Sequence, residues 1–251
     1  MSTMQPTVAP LTKTVKALVI ANVSIWVVGV LILQNMFFKS PVLFNTLGLV
    51  PEHFLFDFYF WQPLTYMFLH SNSVFHVLFN MLILWWFGAE LELKWGSRFF
   101  LAYYLVSGVG AALIYVACVA LYSLISADPL PLLAPVVGAS GACYGLLLAY
   151  GILFGERVIY FMMMFPMKAK YFVLIIGLVE LVTLLNSGFS SGVANLAHLG
   201  GIVAGFLMLK YWTDWKQNQR RKKSPAARGR KLKLVVDNER DDKKTGPRYW
   251  N

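Results

Sequence analysis

The chain has 251 residues, of which 58% are hydrophobic and 14% are charged, and its formal net charge is +10. Soluble domains are about a quarter charged and about 45–50% apolar, so this composition excludes a water-soluble globule. A membrane-spanning helix needs about 20 apolar residues, and the length therefore allows about six or seven spans with short loops. The two cysteines, Cys118 and Cys143, lie in apolar segments and indicate no disulfide framework.

Six apolar stretches follow one another along the chain. They cover residues 15–38, 73–88, 99–125, 135–155, 171–185 and 193–212. We therefore predict an all-α membrane protein with a six-helix domain over residues 15–212. A short cytoplasmic segment, residues 1–14, precedes this domain, and a basic cytoplasmic tail, residues 213–251, follows it.

The tail holds most of the positive charge. Residues 213–251 contain 13 Lys and Arg against 5 Asp and Glu, a net charge of +8. Basic segments beside a membrane helix usually contact anionic lipid headgroups and fix topology, whereas nucleic-acid binding is the rarer use. We therefore expect lipid contact, and no nucleic-acid partner.

Orientation follows from the distribution of Lys and Arg between the short loops. If the N-terminus is cytoplasmic, the inner side carries Lys13, Lys16, Lys94, Arg98, Arg157, Lys168, Lys170 and the tail. The outer loops carry only Lys39, so we predict that both termini face the cytoplasm. In the first outer loop, residues 50–62 are rich in aromatics but also contain acids and a histidine, which is typical of a segment that lies in the membrane interface.

Polar residues inside the spans are the natural candidates for function, because burying them in lipid is costly. The fourth stretch carries Ser140, the sixth carries His198, and the second carries His76 and Asn80. At a rise of 1.5 Å per residue, all four lie about 5–10 Å below the outer surface. This common depth predicts a single polar site.

Small residues indicate which helices touch. They recur every four positions, as Gly141 and Gly145 in the fourth stretch and as Ala197, Gly201 and Gly205 in the sixth. Such stripes let membrane helices approach backbone to backbone, although alone they indicate only packing. Contact between these two helices would bring Ser140 within hydrogen-bonding reach of His198.

These residues supply the parts of an acyl-transfer site. Ser140 is the candidate nucleophile and His198 its general base. Backbone N–H groups around Ser140, with the side chains of His76 and Asn80, are candidate donors to an oxyanion. The outer halves of the second, fourth and sixth stretches contain no Asp or Glu, which favours a Ser-His dyad over a triad. We expect residues 70–73 to line a water-filled vestibule.

Three motifs in this order resemble those of rhomboid intramembrane serine proteases. Residues 138–145 (GASGACYG) look like the family's GxSGxxxG nucleophile motif, and residues 197–201 (AHLGG) resemble its histidine helix. Residues 76–80 (HVLFN) are similar to its HxxxN oxyanion segment. Further matches are Trp61, Thr65 and residues 68–70 before this segment, and Glu92 and Gly96 after it. The resemblance covers about residues 15–212.

The resemblance implies a six-helix bundle that cleaves single-span membrane proteins near their outer ends, with no cofactor. It places Tyr144 under the ring of His198. It also adds Gly138, Ala139 and Gly141 to the oxyanion and substrate-binding set. The compact six-span form and the lack of an organelle-targeting signal favour a bacterial inner membrane.

The first loop departs from the family pattern at one position. Trp61 is followed by Gln62 where the family often has arginine, so how the loop is anchored stays open.

Other reactive side chains favour structural interpretations. Cys143 is better explained as a small packing residue than as a nucleophile. For Glu180, in the fifth stretch, we favour packing over catalysis. Met162, Met163 and Met164 are better explained as interfacial filling than as a cofactor site. Four scattered histidines without an acidic cluster indicate no metal site.

Two other functions compete with proteolysis. A catalytically silent relative would bind membrane clients, but it would be expected to lack Ser140 or His198. A transporter would more often show inverted repeats and several midplane charges.

Overall fold

The computed structural model of the protein describes residues 9–161, 165–191 and 193–223. It is mostly helical. In chain order the helices are α1 (Lys13–Phe38), α2 (Val42–Leu47), α3 (Pro51–Phe56), α4 (Gln62–Thr65), α5 (Val74–Trp95), α6 (Ser97–Ser126), α7 (Leu130–Leu133), α8 (Ser140–Leu153), α9 (Ala169–Ser191) and α10 (Val193–Lys223). The second half of α1, from Ile25, is wound as a π-helix, and a 3₁₀ turn, Tyr66–Phe68, follows α4.

Four helices in the described part of the chain are long and apolar enough to cross a membrane. They are α1, α5, α6 and residues Ala169–Ser187 of α9. Helix α8 is apolar but has only 14 residues. The count of six spans and the orientation of the termini stay predictions.

The chain forms one unit from Met1 to Trp212 and a second from Thr213 to Asn251. The described part of the second unit is the end of α10, up to Lys223. The rest of the predicted basic tail, residues 224–251, lies outside the described residues.

Helix α8 begins at Ser140, so its predicted start at residue 135 is wrong. Backbone hydrogen bonds of 2.9 Å join Leu49 and Val136 in both directions, which makes the segment before the helix extended. Gly138 has φ of +135°, a conformation that a side chain disfavours. Hydropathy could not separate this extended segment from the helix, because non-helical backbone at membrane depth is tolerated where the protein itself satisfies its hydrogen bonds.

A short hairpin joins α8 to α9, so the prediction of an all-α fold is not fully correct. Strand β1 (Val158–Phe161) pairs antiparallel with β2 (Phe165–Lys168). The methionines predicted to fill the interface, residues 162–164, lie outside the described residues. Glu156 accepts hydrogen bonds from Lys168, at 2.7 Å, and from Lys170. These two bonds lower the pKa of the exposed Glu156 carboxyl to about 2.

Gln62, the departure from the family pattern, holds the first loop together. Its side chain is fully buried and bridges two parts of the loop. Oε1 accepts from the Val50 N–H and Nε2 donates to the Asn45 carbonyl, both at 3.0 Å. The sequence left open how this loop is anchored. In the structure the uncharged amide of Gln62 anchors it.

Aromatic side chains cover the outside of this loop. Phe56, Phe58 and Phe60 are each 65% exposed. Exposed aromatics at this density fit the predicted position in the membrane interface.

Helices α8 and α10 pack backbone to backbone, as the small residues predict. A methyl group on Gly201 would lie 1.9 Å from the carbonyl oxygen of Gly141. One on Gly205 would lie 3.1 Å from the Cα of Gly145. Only glycine permits this approach, and the predicted contact between the two helices is therefore confirmed.

Glu92, at the cytoplasmic end of α5 in the predicted topology, ties together three helices. Its carboxylate accepts from the backbone N–H groups of Thr14 and Val15 at 3.0–3.1 Å, and from the Thr12 hydroxyl. It also accepts from the Ser97 hydroxyl at 2.5 Å. The first N–H groups of a helix have no partner within it, so Glu92 acts as the N-terminal cap of α1.

Replacing Glu92 by alanine should therefore destabilise the protein by about 3 kcal/mol, because it leaves buried N–H groups of α1 without an acceptor. Thermal or denaturant unfolding in detergent measures this change. Glu90→Ala is the matched control, since Glu90 contacts the exposed Arg157 and such pairs contribute less than about 1 kcal/mol. Equal losses in both variants would contradict the capping role.

Candidate active site

Ser140 and His198 meet where α8 and α10 are in contact. Ser140 Oγ lies 2.8 Å from Nε2 of His198. The small residues that follow each of them, Gly141 and Gly201, allow this approach. A hydroxyl hydrogen-bonded to an imidazole nitrogen is the arrangement in which a serine can lose its proton during attack.

Ser140 occupies the first turn of α8, and the irregular segment before it fixes its position. The N–H of Gly138 donates to the Tyr66 carbonyl at 3.0 Å, and the side chain of Ala139 is fully buried. A methyl group on Gly138 would lie 2.8 Å from Nε2 of His76. The N–H groups in the first turn of a helix have no partner within it, so those around Ser140 are available to an anion.

Tyr144 lies against the ring of His198. The two rings are stacked with centroids 4.3 Å apart and an angle of 9° between planes. Tyr144 follows Ser140 by one helical turn, so α8 provides both the hydroxyl and the surface that orients the imidazole.

Glu180 of α9 lies on the far side of His198 from Ser140. Its Oε2 is 3.0 Å from Nδ1 of His198, without the alignment of a linear hydrogen bond. Asn195 donates to Oε2 at 2.5 Å, and the Tyr144 hydroxyl donates to Oε1. The outer halves of the second, fourth and sixth stretches contain no acid, but the fifth stretch places one beside the histidine.

His76 has a defined tautomer. The backbone N–H of Ser71 donates to its Nδ1 at 3.2 Å, and the Ser71 hydroxyl lies 3.0 Å away. Because Nδ1 accepts, the neutral ring carries its hydrogen on Nε2. This is the nitrogen that faces Gly138 beside Ser140, so His76 can donate to an anion there.

Asn80, one turn along α5, is buried in the same region. Its Nδ2 donates to the carbonyl of His76 at 2.7 Å. An amide nitrogen has two hydrogens, so one remains for a substrate oxygen.

His70 does not line an open vestibule, contrary to our expectation for residues 70–73. The side chain is fully buried, and neither ring nitrogen has a hydrogen-bond partner among the described residues. It packs against the ring of His76, with centroids 5.1 Å apart. Burial and the neighbouring His76 lower the pKa of His70 to about 3, so the ring is neutral at physiological pH.

The arrangement brings a serine hydroxyl, an imidazole and several N–H donors around one point. Within the described residues, no group of three His, Cys, Asp or Glu side chains is placed to hold a metal ion.

Cys143 is fully buried and its thiol faces the Asn80 carbonyl at 3.5 Å. The position of Glu180 beside His198 is what sequence reasoning missed, although an acid within an apolar stretch was the available signal.

The domain match and the similar proteins all point to one family. The model of the Rhomboid domain matches residues 57–214. Rhomboid protease AarA of Providencia stuartii is 35% identical over 155 residues, which cover 59% of this chain and 54% of that protein. RHOMBOID-like protein 1 of Arabidopsis thaliana is 34% identical over 149 residues, 59% of this chain and 33% of that protein.

A third relative is Rhomboid protease GluP of Bacillus subtilis (strain 168), which is 30% identical over 152 residues, 58% of this chain and 25% of that protein. The matches thus span between a quarter and about half of the length of these relatives. The apolar helices and these relatives indicate an integral membrane protein. Because the domain match covers more than half of the sequence, the chain belongs to the rhomboid family.

Proposed function

We propose that the chain is an intramembrane serine endopeptidase, with Ser140 as nucleophile and His198 as general base. The observation that carries the proposal is the 2.8 Å separation of Ser140 Oγ and His198 Nε2. Two of the relatives, from Providencia stuartii and Bacillus subtilis, bear the name rhomboid protease, which supports the same activity.

The reaction is peptide-bond hydrolysis in two steps. Ser140 Oγ bonds to the carbonyl carbon of the substrate while its proton moves to Nε2 of His198. The carbon–nitrogen bond then breaks, and His198 gives the proton to the leaving amine. In the second step His198 takes a proton from a water molecule as the water oxygen bonds to the acyl carbon, and the ester bond to Ser140 Oγ then breaks as His198 returns that proton to Oγ.

The negative oxygen of the tetrahedral intermediate needs donors that are already in position. The backbone N–H groups of Ser140 and Gly141, with Nε2 of His76 and Nδ2 of Asn80, are the proposed set. The tautomer of His76 supports this role, because its hydrogen is on the nitrogen beside Ser140. Gly138 and Ala139 form the end of the segment before α8, which in this proposal lies next to the bond to be cut.

The proposed substrates are single-span membrane proteins, cut near their outer ends. The resemblance to the family implies this site of cleavage, and the predicted six spans with both termini in the cytoplasm would place the first turn of α8 towards the outer face. The exposed aromatics of the first loop support that placement. We propose a bacterial inner membrane, with the basic tail on anionic headgroups.

The purified protein should react once with a fluorophosphonate, at Ser140. Only an activated serine reacts readily with such a probe, so peptide mass mapping of the adduct tests the nucleophile directly. The same preparation should cut a single-span substrate, with the bond located by fragment mass near the outer end. Prior labelling should abolish the cut.

Three results would contradict the proposal. Labelling at a residue other than Ser140 would overturn the assignment of the nucleophile. Absence of labelling and cleavage in several lipid compositions would overturn the activity. A substrate that copurifies uncut with unlabelled protein would instead favour the client-binding function.

A further inference from the structure

The acid beside the proposed dyad, Glu180, comes from a helix that carries no other part of the site. Helix α9 places it 3.0 Å from Nδ1 of His198, and α8 places Ser140 2.8 Å from Nε2 of the same ring. An acid, a base and a nucleophile therefore follow one another across three helices. From this geometry we infer that Glu180 is a positioning residue that orients His198 and stabilises its protonated form.

The tautomer of His198 gives the first reason. To take the proton from Ser140, Nε2 must be unprotonated, and the neutral ring then carries its hydrogen on Nδ1. Among the described residues Nδ1 has no aligned hydrogen-bond acceptor, and Oε2 of Glu180 lies within bonding distance. Hydrogen bonds at catalytic sites are often long or poorly aligned in the free protein and tighten only in the complex with substrate, so this distance is compatible with a hydrogen bond during catalysis.

Charge gives the second reason. When His198 holds the proton of Ser140 it is an imidazolium, and a carboxylate 3.0 Å away stabilises that state. The attraction is stronger in a site that excludes water than at a surface. His198 is also the only basic group within ion-pair distance of Glu180 among the described residues.

The partners of Glu180 give the third reason. Its side chain is only 11% exposed, and an unpaired buried carboxylate is costly within a membrane. Tyr144 donates to one oxygen and Asn195 to the other, so the carboxylate is held from α8 and α10. Because Tyr144 also stacks on His198, the same contacts fix both the acid and the ring.

The test is Glu180→Gln, which keeps size and removes charge. This inference rests on the proposed Ser-His chemistry, so the wild type must first show labelling and cleavage. We expect kcat to fall by about 10–1,000-fold, less than the loss known for the fully buried acid of a soluble triad, with KM within about twofold. The rate of fluorophosphonate labelling should fall in parallel, because labelling needs an activated Ser140 and no docked substrate helix.

Two further variants separate positioning from packing. Glu180→Asp keeps the charge and should recover part of kcat relative to Glu180→Gln, even if both variants melt at the same temperature. Thr183→Val is the matched control on α9, since its hydroxyl donates to Val179 of the same helix, and it should keep the wild-type kcat.

The outcomes distinguish this inference from the proposed function. A folded Glu180→Gln protein with the wild-type kcat and labelling rate would overturn the role of Glu180 and leave the dyad intact. Equal kcat for the Asp and Gln variants would also overturn it, because charge would then be irrelevant. An inactive, unlabelled wild type would instead overturn the proposed function itself.

Discussion

Substitution of Ser140 by alanine should lower the rate of substrate cleavage by at least about 10³-fold and abolish fluorophosphonate labelling. Among the described residues the only hydroxyl that contacts His198 Nε2 is that of Ser140, so no neighbour in this part of the chain replaces the nucleophile. In soluble serine proteases the loss of the nucleophile costs about 10⁶-fold in kcat.

His198→Ala should cause a loss of similar size, because a serine without its base keeps its proton. The double variant should be no slower than either single variant, since residues that act as one unit are not additive. Cleavage rates of the three proteins, each with its melting temperature, test this. A double variant that is slower than both by the product of the single losses would show that the two side chains act independently.

Cys143→Ala is the control for the nucleophile. It removes a potentially nucleophilic atom from α8 three residues after Ser140 and should keep cleavage near the wild-type rate. Its thiol is buried against the carbonyl of Asn80, and burial within the helix packing suits a structural role. Loss of labelling in this variant, with Ser140 intact and the fold preserved, would contradict the proposed nucleophile.

The approach of Ser140 to His198 was predictable because each lies beside a stripe of small residues. Glycines four apart have one main structural meaning in apolar helices, which is close packing. Gly141 and Gly201 therefore specify which helices touch and at what height, and the height places the serine opposite the histidine. The spacing of the small residues therefore predicts both the contact between α8 and α10 and the height at which it occurs.

The position of Glu180 beside His198 was not predictable in the same way. Its position depends on how α9 is rotated and how deeply it packs, and the apolar residues around it carry no strong pattern that fixes either. An acid in a span was a signal for function, but its partners come from α8 and α10, which are distant in sequence. The predicted start of α8 was wrong for a related reason. Val136 is held extended by its pairing with Leu49, and the local sequence does not reveal such a long-range contact.

Gly201→Ala should lower both the stability and the activity of the protein. The added methyl would lie 1.9 Å from the Gly141 carbonyl oxygen, 2.7 Å from its carbonyl carbon and 3.0 Å from its Cα. These are backbone atoms of a packed helix, which cannot rotate away as a side chain can. Helices α8 and α10 must therefore separate, at a cost of about 3 kcal/mol, the upper part of the usual range for overpacking.

Separation of these helices also acts on catalysis, because Ser140 precedes Gly141 and His198 lies one turn before Gly201. A displacement of about 1 Å at a reacting group can cost about 10²-fold in rate. We therefore expect a loss of about 10²-fold in cleavage together with a lower melting temperature. Activity and thermal unfolding measured on the same detergent-purified protein test both.

Alanine substitutions at two other glycines provide comparisons for the losses expected of Gly201→Ala. Gly177→Ala on α9 would add a methyl 3.8 Å from Ile202 Cδ1, an ordinary contact, and should change neither activity nor melting temperature appreciably. A methyl on Gly205 would meet the Tyr103 hydroxyl at 2.5 Å and the Cα of Gly145 at 3.1 Å, so Gly205→Ala should be intermediate. The order of the three losses follows from how much backbone each methyl would meet. A Gly201→Ala protein as stable and active as Gly177→Ala would mean that α8 and α10 do not touch at Gly141.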